Sequence, residues 1–87
     1  MEELRKNIFQ RFRNTELGLQ RIKKNLGLEG FSEIEIVQYC EKIIEQTPIE
    51  CFKKIGKNYY ITSKKNNSIL TINSFTMTVI TANESIK

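Results

Sequence analysis

Apolar residues recur at three- and four-residue steps through the first half of the chain and at every second residue through the second half. Leu4, Ile8 and Phe12, with Phe9 on the flank, mark an amphipathic helix over residues 2–13 that Asn14 and Thr15 break. Thr15 then reads as an N-cap with Glu16 in the first turn. Leu19, Ile22 and Leu26 form the next apolar stripe, and Gly27 closes that helix. Ser32 followed by Glu35 has the form of a capping box. Behind it Ile36, Val37, Cys40, Ile43 and Ile44 share one helical face, Gln38, Glu41, Lys42 and Glu45 share the other, and Thr47-Pro48 ends the helix.

From Ile49 onward the period is two. The turn signals Gly56-Lys57, Asn66-Asn67 and Asn73-Ser74 divide the remainder into strands near residues 49–55, 58–64, 69–73 and 75–82. Read as two-residue hairpins, they set Phe52 opposite Ile61, Ile61 opposite Ile72, and Ile72 opposite Phe75. One face then collects Phe52, Tyr59, Ile61, Leu70, Ile72, Phe75, Met77 and Val79 and packs on the helices. The other, with Lys53, Tyr60, Thr62, Thr71, Thr76 and Thr78, meets water. The predicted architecture is a single α+β domain over residues 1–87: three N-terminal helices followed by a four-stranded antiparallel β-meander.

At 87 residues, 39% of them hydrophobic, the chain can bury one modest core. No apolar run exceeds three residues and no apolar signal core follows the first residues, so the expectation is a cytoplasmic protein without a membrane span. The chain has no His, no Asp and no Trp, which excludes imidazole-based catalysis and Asp-bearing metal loops. Acid–base chemistry could fall only to Glu, Lys, Tyr or Cys, so an enzyme is the lesser expectation. Cys40 and Cys51 cannot build a four-ligand zinc site. They read as a buried helix thiol and a strand thiol, with a disulfide between them as the alternative. No cofactor or metal is expected.

The net charge of +4 is unevenly spread: residues 1–28 carry seven Lys/Arg against three Glu, residues 29–50 six Glu against Lys42, and residues 51–87 six Lys against Glu84. A basic domain invites a nucleic-acid reading, because Lys and Arg supply most sequence-independent affinity for phosphate. Lys53, Lys57, Lys64 and Lys65 are the candidate phosphate contacts and Tyr60 the candidate stacking ring. The bland alternative is a solvated surface rich in strand-forming Thr and Tyr. The acidic third helix, through Glu41 and Glu45, could instead meet a basic partner or pair with the chain's own basic parts.

Several segments resemble a bacterial family of uncharacterised small proteins: Thr15-Glu16-Leu17, Arg21-Ile22-Lys23-Lys24-Asn25-Leu26, Val37-Gln38-Tyr39-Cys40-Glu41-Lys42, Gly56-Lys57-Asn58-Tyr59-Tyr60, and Thr71-Ile72-Asn73 through Val79-Ile80-Thr81-Ala82. The corresponding family motifs read T-E-L, R-I-K-K-N-L, V-x-W-C-K, G-K-N-W-Y, and T-V-N-A followed by I-I-T-A-H. The resemblance covers residues 15–83. Its order of helices and meander is similar to the barnase, EndoU and RelE-like ribonucleases, which implies an RNA-cleaving toxin as a second reading. Where the family carries His, this chain has Phe75 and Asn83. Such a toxin would have to rely on Lys53, Lys54, Lys57, Tyr60 and Arg21. The first expectation remains a small non-enzymatic protein, monomer or homodimer, that engages nucleic acid or a nucleic-acid-handling protein. One version is an anti-CRISPR-like inhibitor of a host defence nucleoprotein carried by a phage or mobile element.

Overall fold

The computed structural model describes residues 2–84. Helices α1 (Glu2–Arg11), α2 (Glu16–Leu26) and α3 (Glu33–Gln46) lead through a 3-10 turn at Ile49–Cys51 into β1 (Phe52–Ile55), β2 (Asn58–Ser63), β3 (Ser68–Asn73) and β4 (Val79–Glu84). Each strand pairs antiparallel with the next, in the order β1-β2-β3-β4. The fold is the expected α+β meander. No helix among the described residues is long and apolar enough to cross a membrane.

The caps follow the sequence signals. The Thr15 hydroxyl accepts from the Gly18 N–H at 3.1 Å. Gly27 takes φ +68° and returns its N–H to the Lys23 carbonyl. Ser32 and Glu35 exchange both bonds of the capping box, at 3.2 and 2.8 Å. Helix α1 stops at Arg11, short of the expected residue 13, because Arg13 is recruited to the sheet. Its N–H donates to the Met77 carbonyl at 2.9 Å, and its carbonyl accepts from the Val79 N–H at 2.8 Å.

One core joins the layers. Ile8, Leu19, Ile22, Ile36, Cys40, Ile43 and Ile44 from the helices meet Ile61, Leu70, Ile72, Met77, Val79 and Ala82 from the second half of the chain. Burying each Ile, Leu, Met or Val among them is worth about 1.5–3 kcal/mol. The helices therefore cover the expected sheet face, with Phe52 and Tyr59 half-buried at its margin.

The registers depart from expectation in an informative way. Phe52 faces Ile61 as read from the sequence. The next turn occupies residues 64–67 instead of two residues, so Ile61 faces Leu70 and not Ile72. Its cause is local: the Ser63 hydroxyl accepts from the Asn66 backbone N–H and side-chain Nδ2 at 3.1 and 3.0 Å, and Asn67 takes φ +57°. A two-residue slip keeps every side chain on its own face, so the dry side survives. The third connection runs over residues 74–78, and Ile72 pairs with Val79 instead of Phe75. A bulge at Thr71/Ile72 then brings Ala82 to the dry side.

Phe75, expected in the core, is 73% exposed in that connection, while Thr76 and Thr78 belong to a loop and not to a strand face. Thr71, expected in water, is only 6% exposed, since it sits mid-sheet with Tyr60 and Thr81 in register on either side. Cys51 lies in the 3-10 turn and not in a strand. Both cysteines are free, so the disulfide alternative is not formed.

Candidate nucleic-acid interface

The β1–β2 hairpin carries the sequence-derived candidates. Strand alternation places Lys53, Ile55, Asn58, Tyr60 and Thr62 on the sheet face away from the helices, and Lys53 is the direct cross-strand partner of Tyr60. Gly56 supplies the positive φ, +62°, that a two-residue hairpin turn needs, and Lys57 occupies the second position of that turn. Lys64 and Lys65 open the four-residue turn at the other end of β2. All four lysines are exposed and Tyr60 is half-buried.

At a rise of about 3.3 Å per residue the two turns lie roughly 20 Å apart, with Lys53 and Tyr60 between them. The structure thus arranges the five candidates along β2, its two flanking turns and the adjoining β1, and does not gather them into one pocket. Lys54 adds a further exposed charge on the opposite face of the same edge. From Cys51 to Asn83 the chain contains no carboxylate side chain at all. No carboxylate thus stands within the hairpin, although Glu50 lines a cleft together with Lys64 and Lys65.

Beside the Lys64–Lys65 end lies an open cleft of about 460 Å³ walled by Gln46, Pro48, Glu50, Cys51 and Thr62 as well as the two lysines. Its floor includes two buried hydroxyls. Thr47 Oγ1 donates to the Ile43 carbonyl at 2.6 Å, and Ser63 holds the turn. The floor is fixed from behind by Arg5, whose Nη2 donates to the Thr47 carbonyl at 2.6 Å while its guanidinium carbon stands 5.7 Å from the Phe52 ring centroid.

The acidic candidates sit elsewhere. Glu41 and Glu45 are one turn apart on α3, Glu41 half-buried and Glu45 exposed. Glu45 shares a cleft of about 360 Å³ with Arg5, Lys6, Phe9 and Gln10 of α1. The acidic helix thus brings this residue against the chain's own basic first helix. Arg21 lies exposed on α2, away from the hairpin.

Cys40 carries no exposed reactivity. Burial pushes its thiol up to about 12, with the neighbouring Glu41 charge adding to the effect, so it stays protonated and packs as a small apolar side chain. Among the described residues no group of three or more His, Cys, Asp or Glu is placed to hold a metal ion.

Sequence reasoning missed one feature of this end of the molecule. The loop over residues 74–78 docks on the hairpin turn: the Ser74 N–H and hydroxyl both donate to the Lys57 carbonyl, at 2.8 and 2.9 Å. Its signal was Asn73, whose Oδ1 accepts from the Phe75 and Thr76 N–H groups at 2.8 and 3.0 Å. An Asx turn of this kind lengthens a connection that the Asn-Ser pair alone suggests is tight.

Comparison with family models shows that the chain belongs to a family described as a protein of unknown function (DUF3781), matched over residues 6–83. No curated protein and no solved structure matches it. Membership of an uncharacterised family is thereby established, and the ribonuclease likeness gains no support.

Proposed function

We propose that this member of a family of unknown function binds single-stranded nucleic acid along its β1–β2 hairpin without cleaving it. The observation that carries the reading is the run of Lys57, Lys53 and the Lys64–Lys65 pair along β1, β2 and the two turns that flank β2, with Tyr60 at its centre and no acidic residue in the sequence from 51 to 83. Regularly placed ammonium groups can follow a phosphate backbone, and a half-buried tyrosine offers a ring face to one base. The sheet rises from a closed core, so the row is presented on a rigid element instead of a mobile tail.

Fluorescence anisotropy with labelled oligo(U) and oligo(dT), read across salt concentrations, tests it. Contacts from four lysines predict a plot of log K against log salt with a slope of about −3, each lysine contributing roughly 0.7 for a single strand. Replacing Lys53, Lys57, Lys64 or Lys65 singly with Gln should flatten that slope by about 0.7 and leave the oligonucleotide intact on a gel. No oligonucleotide binding at low salt, or a flat salt response, refutes the reading.

A further inference from the structure

We infer that Phe75 is a second stacking platform, taking an unpaired nucleobase at the Lys57 end of the row while Lys57 meets the adjoining phosphate. The inference rests on the nucleic-acid reading and adds to it a site that the sequence alone placed in the core.

Phe75 has no polar atom on its side chain, yet 73% of its surface is in water. A floppy loop would let such a ring fold back onto the sheet. This loop is pinned instead. Asn73 Oδ1 accepts from two successive backbone N–H groups, Ser74 is fastened twice to the Lys57 carbonyl, and the Thr76 hydroxyl donates to the Thr78 hydroxyl at 2.8 Å.

The loop is also held under backbone strain. Met77 takes φ +60°, a left-handed conformation that a long side chain rarely adopts. It is kept there from several sides: its side chain is 4% exposed, its N–H donates to the Asn73 carbonyl at 2.8 Å, and its carbonyl accepts from Arg13. Strain of this kind persists where the surroundings over-determine it, and it concentrates where a fixed presentation is used. Here the strained residue stays in the core while the ring two positions earlier stays out.

The surroundings favour a base over an apolar protein contact. The loop's nearest fastening is Lys57, and the exposed residues of β1 are Lys53, Lys54 and Ile55. Phe75 directly follows Ser74, which is tied to the Lys57 carbonyl, so an exposed ring and an exposed lysine share this end of the sheet, as the alternation of base and phosphate in a single strand requires, and every base has a face to stack.

The test uses the full chain with Phe75→Ala, Phe75→Tyr and Phe75→Trp, each titrated with labelled oligo(U) and oligo(dT) across salt. Phe75→Ala should weaken binding about 5- to 100-fold at every salt concentration with the slope unchanged, since stacking releases no counterions. Phe75→Tyr should retain the affinity. Phe75→Trp should retain it too, and its emission, the sole indole signal in a chain with no native Trp, should be quenched on binding. Wild-type affinity in Phe75→Ala, with the lysine variants still weakened, overturns this inference alone and leaves the ring to a protein contact. Equal losses in Phe75→Ala and Phe75→Tyr overturn it as well, because the ring is then not what binds. Failure of the unaltered protein to bind either oligonucleotide overturns the underlying reading first.

Discussion

The two edges of the sheet are finished by opposite means. At β4 the chain closes the edge with its own backbone and a helix. Arg13 makes a parallel bridge to Thr78, and α2 comes so near that a Cβ added at Gly18 would stand 2.8 Å from the Val79 carbonyl oxygen. Asn25 reaches over to donate to the Thr81 hydroxyl at 2.9 Å. At β1 no comparable backbone bridge is built among the described residues. That strand has four residues, and Lys53, Lys54 and Ile55 on it are exposed. A short, positively charged edge resists pairing with another strand while remaining accessible to an anionic chain. One edge is thus spent on stability and the other is left open, guarded by its shortness and its charge.

The sharpest way to break this comparison is Gly18→Ala. The new methyl would meet Val79 O at 2.8 Å and the capping Thr15 hydroxyl at 3.2 Å, and neither is the free end of a flexible side chain. Forced overpacking of this kind costs about 1–3 kcal/mol, which outweighs the gain of up to about 1 kcal/mol in helix propensity. Urea denaturation should show the loss as a lower midpoint with an unchanged slope. A stabilised Gly18→Ala protein would mean that α2 is not held tightly to the closed edge. Asn25→Ala tests the same edge more gently. It removes one exposed side-chain bond, and the expected loss is about 0.5 kcal/mol by the same measurement.

Gly18 also shows where the sequence was legible and where it was not. The helices and the dry sheet face followed from periodicity, because a one-residue register error would have exposed Ile61 and Leu70, and the even slip at residues 64–67 could not. Caps at Thr15 and Ser32 were readable since their partners lie three residues away. A glycine inside a helical stripe signals close packing, but its contact, Val79, is far along the chain and no local pattern names it. The same holds for Arg13, drawn out of its helix by Met77 and Val79. At the candidate site the lysines and Tyr60 were visible as residue types; the placing of Lys53, Lys57 and Tyr60 followed from the Gly56-Lys57 turn, which was correctly read, whereas Lys64 and Lys65 lie in the longer turn over residues 64–67 that the Asn66-Asn67 pair did not reveal. Phe75 was misplaced because parity was extended through a loop that Asn73 and the left-handed Met77 take out of the strand.

The smallest expected change in stability comes from the open edge and tells most about its purpose. Replacing Lys53 and Lys54 together with Thr removes two exposed charges and installs good strand formers, so the monomer's denaturation midpoint should move by no more than the equivalent of about 0.5 kcal/mol. If charge is what keeps β1 unpaired, the double variant should self-associate as concentration rises. Light scattering would then give a mass above one chain where the unaltered protein at the same concentration stays lower. A mass identical to that of the unaltered protein across the range would assign the protection to the four-residue length of β1 instead. Lys53 and Lys54 would then have no part in guarding the edge.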